Sequence, residues 1–231
     1  MVTGGSRGIG RAIVRRLARD DARVVFGYRE NEEAAEELAG EVPDTVAVRA
    51  DLADPGAVDA LFAPAGDALD ILVNNAAVNT PTPIAELTGA DFDRVMAVNA
   101  RFPLLAVARA ATLMGDGGRI VNVSTLNTAV PAPGLALHCA SKAALEQLTA
   151  VAARELGPRG ITVNTVSPGA TDTGLLRDTN PAEAVDQTAT LTALGRLGRP
   201  DDIADVVAFL AGPDSRWVTG QNIRATGGLI L

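Results

Sequence analysis

Thr3-Gly4-Gly5-Ser6-Arg7-Gly8-Ile9-Gly10 decides the reading of this chain. Glycines let a backbone turn tightly and approach a pyrophosphate, and a following helix offers free N–H groups and a positive dipole end. Ile9 to Ala18 carry apolar residues at helical spacing, and Ala22-Arg23-Val24-Val25-Phe26-Gly27 reads as a strand. A glycine turn alone is a weak signal and can be purely structural. One that opens a helix and precedes a strand reads as a dinucleotide-binding turn.

Outward from that turn the rhythm continues. Thr45-Val46-Ala47-Val48, Ile71-Leu72-Val73-Asn74, Arg119-Ile120-Val121-Asn122-Val123 and Ile161-Thr162-Val163-Asn164-Thr165-Val166 read as strands. Glu32 to Leu38, Phe92 to Leu113 and Ala143 to Leu156 read as helices. Near-continuous apolar strands alternating with helices imply an α/β fold with a parallel sheet covered on both faces. The 231 residues, 47% of them apolar, suit one substantial core, so 1–231 is expected to be a single domain. Two stretches break the rhythm. Residues 172–199 form a long irregular insertion with a weak helical patch, expected to be a substrate lid. Only Met1 and Val2 precede the glycine turn, so the first strand reads as truncated. Lowered stability, or a start placed too late, is the expectation there, because unpaired buried backbone groups are costly.

A formal net charge of −8 argues against nucleic-acid and anionic-membrane partners. No run of about 18 uncharged apolar residues suggests a membrane span, and no signal-peptide layout opens the chain, so a cytoplasmic location is expected. One cysteine, Cys139, and one histidine, His138, give no disulfide framework and no typical metal-ligand set.

NAD binders usually place an acid at the end of the second strand to hold the adenosine 2′-hydroxyl. Here that strand runs into Gly27-Tyr28-Arg29, without one. Arg7 lies inside the glycine turn. Two planar guanidinium forks suit a 2′-phosphate, which favours NADP(H) over NAD(H). Solvated surface arginines are the alternative.

From end to end the chain resembles the short-chain dehydrogenase/reductase family. Thr3-Gly4, Gly8 and Gly10 resemble its cofactor turn, with Ser6, Arg7 and Ile9 between and beside the glycines. Asp51-Leu52 resembles the acidic pair beside the adenine. Asn74-Asn75-Ala76-Ala77 resembles its Asn-Asn-Ala-Gly signature, with alanine last. Asn99 resembles the asparagine of its catalytic tetrad. Pro168-Gly169, with Thr171 and Thr173, resembles its nicotinamide loop. Trp217-Val218-Thr219-Gly220-Gln221 and Gly227-Gly228 resemble its C-terminal strand. The resemblance is to small ketoreductases, including β-ketoacyl carrier-protein reductases. It implies a doubly wound Rossmann sheet of about seven strands with its ligand crevice at the strands' carboxyl ends. It also implies a homotetramer, or homodimer, packed through two long helices around residues 92–114 and 137–157.

The resemblance fails at one position. The family's acid is a tyrosine four residues before a lysine, two positions that share a helix face. Here Lys142 is present, but His138 stands in the tyrosine's place. Thr125 takes the place of the usual serine, with Ser124 adjacent as a substitute should the loop shift. Imidazole is a competent acid–base group, yet the Lys142 cation should lower its pKa and leave it a poor proton donor. Its shorter reach would call for a water. Loss of a positioned acid typically costs about 10²- to 10⁴-fold. The expectation is a reductase of a small carbonyl or alcohol substrate with weakened activity. The alternatives are a non-catalytic NADP(H)-binding protein and a dehydratase or isomerase on the same fold. Cys139 and His138 are adjacent on a helix and do not face each other, so a packed thiol is expected. Residues near Val78 to Thr82 and Leu126 to Leu137, with the lid, are expected to line the substrate pocket, leaving the substrate itself open.

Overall fold

The β-branched runs become strands in a computed structural model that describes residues 1–229, the side chain of Thr179 excepted. Residues 230 and 231, the end of the expected domain, lie outside the described residues. The strands are β1 (Val24–Tyr28), β2 (Thr45–Arg49), β3 (Ile71–Asn74), β4 (Arg119–Val123), β5 (Thr162–Pro168) and β6 (Asn222–Ala225). All neighbouring pairs are parallel: Val24 faces Thr45, Ile71 faces Arg119, Arg119 faces Thr162 and Thr165 faces Asn222.

Val2 joins the two halves of the sheet. It bridges Phe26 on one side and Val73 on the other, both in parallel sense. Its N–H donates to the Val25 carbonyl at 2.9 Å and its carbonyl accepts from Gly27 N–H at 2.9 Å. Opposite, Thr3 N–H donates to Val73 O at 3.0 Å, and Val73 N–H to Met1 O at 2.8 Å. The short first strand therefore fills the central position with a ladder on both sides. The order is β2-β1-Val2-β3-β4-β5-β6. The chain builds outward from the centre to one edge, then crosses to build toward the other. Such a switch point opens a crevice at the strands' carboxyl ends.

One face of the sheet is covered by α1 (Gly8–Ala18), α2 (Glu32–Glu41) and a helix at Pro200–Ala211, with Ile13, Val14, Phe26, Leu38, Ile203 and Val207 fully buried among them. The other is covered by α3 (Ala57–Phe62), the predicted 92–113 helix, and the helix that carries Lys142, around Leu61, Leu72, Ile120, Ile161 and Val163. The predicted 92–113 helix is α4 (Gly89–Met96) and α5 (Phe102–Leu113), joined by a five-residue π turn at Ala97–Arg101. The next helix, α6 (Ala136–Leu156), starts seven residues before the predicted Ala143. The weak helical patch in 172–199 resolves into α7 (Gly174–Thr179) and α8 (Ala182–Leu191). The C-terminal strand begins at Asn222, one residue beyond the stretch that resembled it, and Trp217 is 96% exposed. The Pro200–Ala211 helix, α9, is reached without a sequence expectation, although Pro200 at its first turn and Asp201 and Asp202 after it are start signals. Among the described residues no helix is long and apolar enough to cross a membrane.

Candidate active site

The glycine turn runs directly from the central segment into α1. Gly4 and Gly8 have φ of +66° and +54°, where side chains are strained. Gly10 is required for another reason: a Cβ there would lie 2.0 Å from the Gly4 carbonyl oxygen. Asn75, Ala76 and the buried Thr3 brace the turn. Thr3 Oγ1 accepts from the N–H groups of Asn75 and Ala76, both at 2.9 Å, and Asn75 Nδ2 donates to the carbonyls of Thr3 and Gly4 at 2.9 and 3.2 Å. The Asn75 side chain thus shapes the turn. Ser6 is buried, Ile9 packs on the core below, Ala77 is exposed and Arg7 is exposed at the N-cap of α1.

Beyond the turn, at the carboxyl end of β1 and β2, opens a cavity of about 680 Å³ lined by Arg29, Glu30, Arg49, Asp51, Ala57 and Arg94, among others. Arg29 pairs with Glu30, and Arg94 holds Asp51 at 2.8 Å. Asp51 also accepts from Ala53 N–H at 2.9 Å, and the Arg94 guanidinium first, then that N–H, keeps its carboxyl below the usual carboxylate range. Tyr28 closes β1 half-buried, and Leu52 packs on the core beside the cavity.

The loop after β5 returns to the turn from the other side. Pro168 ends the strand, and a Cβ on Gly169 would press on Thr226 at 3.0 Å. Thr171, buried, donates to Gly169 O at 3.1 Å. Thr173 caps α7 by accepting from Leu176 N–H, and its methyl group stands 3.5 Å from where a Gly8 Cβ would be. Turn and loop therefore face each other across the crevice. Residues 172–199 leave and rejoin the sheet at one neck: Gly198 N–H donates to Ala170 O at 3.0 Å, and Asp172 N–H to Gly198 O at 2.8 Å.

The acid–base residues come together on α6 and the elements packed on it. Lys142 is buried; its ammonium donates to the Val123 carbonyl at 2.6 Å, and burial lowers its pKa to about 8 against a smaller pull from Glu146. His138 lies one turn earlier on the same face. Its pKa falls to about 4, mainly through burial and secondly through the Lys142 charge, while the Val78 carbonyl opposes the fall. The sequence reading named only the lysine; burial is the larger cause. Nδ1 of His138 is buried without a hydrogen-bond partner.

Asn99 sits fully buried in the π turn. Its Oδ1 accepts from Val78 N–H at 2.9 Å and its Nδ2 donates to Val78 O at 2.9 Å and to Ser141 Oγ at 3.1 Å. It therefore fixes the Val78 peptide against which His138 lies. Thr125 follows β4 in extended conformation, its hydroxyl exchanging hydrogen bonds with Asn127. Ser124 does not stand in for it: its hydroxyl donates to Glu146 at 2.6 Å. Leu126, expected on the pocket wall, is buried at the start of the turn after Thr125. The Cys139 thiol donates to Asn127 O at 3.2 Å. Val123 and Glu146 were not foreseen, nor were the bracing roles of Thr3, expected in the turn, and of Val78, expected on the pocket wall. Glu146, one turn after Lys142 on the same helix face, was the most accessible to spacing.

A doubly wound parallel sheet with a glycine turn at its switch point and a buried lysine beside the crevice defines a class of dinucleotide-binding folds. The chain belongs to the short-chain dehydrogenase/reductase family. The family described as Enoyl-(Acyl carrier protein) reductase matches residues 4–230. The Escherichia coli cyclic-di-GMP-binding biofilm dispersal mediator protein is 44% identical, over 95% of this chain and 92% of that protein. NADPH-dependent aldehyde reductase 2, chloroplastic, of Arabidopsis thaliana is 37% identical over 100% of this chain and 93% of its own. The crystal structure of the angucycline C-6 ketoreductase LanV with bound NADP superposes with a TM-score of 0.92 at 43% identity, covering 99% of this chain and 93% of that one.

Proposed function

We propose that the protein is an NADP(H)-dependent oxidoreductase acting between a carbonyl and a secondary alcohol, with His138 at the acid–base position. The observation that carries this reading is the helix α6, where His138 stands one turn before the buried Lys142. The cofactor fits the residues present. The turn leaves no room for a Cβ at Gly10, and Arg7 and Arg29 supply cationic forks at the turn and at the end of β1. Gly4, Ser6, Gly8, Ile9 and Gly10 cradle the diphosphate. Tyr28 and Arg29 hold the adenosine 2′-phosphate, Asp51 and Leu52 the adenine. Asn75, Ala76, Ala77, Pro168, Gly169, Thr171 and Thr173 frame the nicotinamide half, and Lys142 holds the ribose. NADP(H), when bound, supplies or accepts the hydride.

The chain's own residues manage the proton. Thr125 steadies the substrate oxygen with its hydroxyl. Asn99 fixes Val78 and, through it, the imidazole. With a pKa of about 4, His138 is neutral near pH 7. It then holds no proton to donate to a ketone, and the burial and charge that keep it neutral also make it a weak base toward an alcohol. Ketoreduction is accordingly weak near neutrality and strengthens toward acid. Residues 172–199 act as the substrate lid of a single domain, swinging at the 170–172/198 neck. Leu104 and Leu105 on α5 and Val151 on α6 are about half exposed, which supports a homotetramer or homodimer through those helices.

The test is NADPH oxidation on a panel of ketones and β-ketoesters from about pH 5 to 9, with His138→Tyr alongside. The expected result is a gain of about 100-fold on restoring the phenol. A native chain that turns over well at neutral pH and gains nothing from tyrosine would refute the impaired-acid reading. NADPH binding without turnover by either form would leave a binding protein.

A further inference from the structure

Glu146 has no part in the mechanism above, yet it touches both halves of the site. Its Oε1 accepts from Ser124 at 2.6 Å and from Thr128 at 2.8 Å. Ser124 is the residue after Val123, whose carbonyl holds the Lys142 ammonium. Thr128 Oγ1 also donates at 3.0 Å to the carbonyl of Thr125, the residue assigned above to the substrate oxygen. One carboxylate oxygen thus closes both ends of the segment 124–128 onto α6.

We propose that Glu146 is a positioning residue of the active site, tying the loop that carries Thr125 to the helix that carries His138 and Lys142 and serving as the counter-charge of Lys142. This rests on the catalytic reading of those residues given above. A carboxylate has only acceptors, so Ser124 must aim its proton at it, while the single Thr128 proton is shared between it and the Thr125 carbonyl; both rotamers are fixed, and with them the loop. Among the described residues Glu146 is the anion whose charge acts on the lysine: β4 offers it the Val123 carbonyl, β5 and the π turn present it no acidic group, Asp91 and Asp93 of the packed α4 do not act on it, and His138 on its own helix is neutral. Among the described residues, Glu146 is therefore the charge that opposes the desolvation of the ammonium. The link to catalysis is direct. The more strongly Lys142 is held as a cation, the more firmly it disfavours imidazolium at His138.

The chain makes this measurable without substrate or cofactor. Lys142 is its only lysine and His138 its only histidine, so protein labelled with ¹³C at lysine Cε and histidine Cε1 gives one lysine and one histidine signal. Glu146→Gln keeps an acceptor for both hydroxyls and removes the charge. In that variant the Lys142 midpoint should fall by about one pH unit, the scale of one nearby charge at partial burial. Ser124→Ala with Thr128→Val keeps the charge and cuts the tie. It should leave the lysine midpoint in place while amide exchange at 124–128 accelerates and kcat falls more than KM. Glu146→Asp should recover part of both effects. A lysine midpoint within about 0.2 units of the native one in Glu146→Gln would overturn the counter-charge role. Unchanged exchange at 124–128 in the double variant would overturn the tie. Both readouts stand if no ketone is ever turned over, so failure here is separate from failure of the reductase reading. Should Glu146→Gln not fold, Glu146→Asp carries the same lysine titration, with a smaller shift expected and no shift overturning it.

Discussion

At the position where the family's acid would stand, the environment of His138 is as important as its identity. His138 is pressed between a cation and a low-dielectric wall, and both favour the neutral ring. Its pKa of about 4 in the fold lies below the ordinary value of 6.5. Between those two values the unfolded chain binds a proton that the folded chain refuses. Stability therefore rises with pH across that window: the contribution is fully present above about 6.5 and lost as pH falls toward 4. The size is roughly 3 kcal/mol for the full shift. Urea unfolding at about pH 7.5 and pH 4.5, compared between the native chain and His138→Gln, isolates it. The native chain should lose about 2 to 3 kcal/mol more than the variant on acidification. Equal losses would mean that the ring is solvated and free to protonate, and would make it a competent proton donor near neutrality. The position of His138 relative to Lys142 was legible in the sequence, since spacing by four on a helix needs no coordinates. The dominance of burial over the lysine charge was not, because burial is decided by Val78, Asn99 and the π turn, far away in sequence.

At the scale of elements, the central segment shows how little sequence a sheet position needs. A two-residue run is too short for any periodicity, so Met1-Val2 reads as a truncation. Its pairing is set by neighbours that already exist on either side, and four backbone hydrogen bonds seat it. Val2 is fully buried, in contact with the core of α1 and β1. Val2→Ala should cost about 2 kcal/mol, the scale of a truncated core aliphatic that cannot collapse its cavity, and lower Tm by about 4 to 8 °C. A change under about 1 °C would show that the segment is not load-sharing with its neighbours. Strands β3 and β4 were read to the residue because β-branched runs end abruptly at polar or glycine residues. The apolar periodicity of α6 emerges only at Ala143, because Pro131, Pro133 and Gly134 crowd its start and leave no capping residue at Leu135, whereas the resemblance places the helix at 137–157. The 172–199 segment is hard to read because its two helices are short, and it is held by contacts distant in sequence: the neck at 170–172 and 198, Leu194 N–H on the Gly227 carbonyl and Arg196 on Asp202. Gly10→Ala belongs to this scale as well. With Gly4 O at 2.0 Å from the new Cβ, α1 must shift, and NADPH affinity should fall by 100-fold or more, read by fluorescence titration, a loss of about 3 kcal/mol. Retained affinity would place the diphosphate elsewhere.

At the scale of the whole molecule, the cofactor is expected to act as part of the fold. The crevice is bounded by the turn from the first strand, the ends of β1 and β2, the loop after β5 and the face of α6, so a ligand there ties both halves of the sheet together. A ligand that binds only the folded chain stabilises it by RT ln(1 + [L]/Kd), about 2.7 kcal/mol at one hundred times Kd. For a chain of this length that is a rise in Tm of roughly 5 to 10 °C. NADPH should give that rise. NADH at the same concentration should give much less, because it lacks the 2′-phosphate that Arg7 and Arg29 are placed to meet. The difference should itself depend on those arginines: Arg29→Ser should reduce the NADPH shift and leave the small NADH shift nearly unchanged. It should also shrink in high salt, since the Arg29 side chain is about two-fifths exposed and screening acts on it. Equal shifts by the two nucleotides in the native chain would remove the argument for NADP(H), and would mean that the pairing of Arg29 with Glu30 leaves the ribose end indifferent to the extra phosphate.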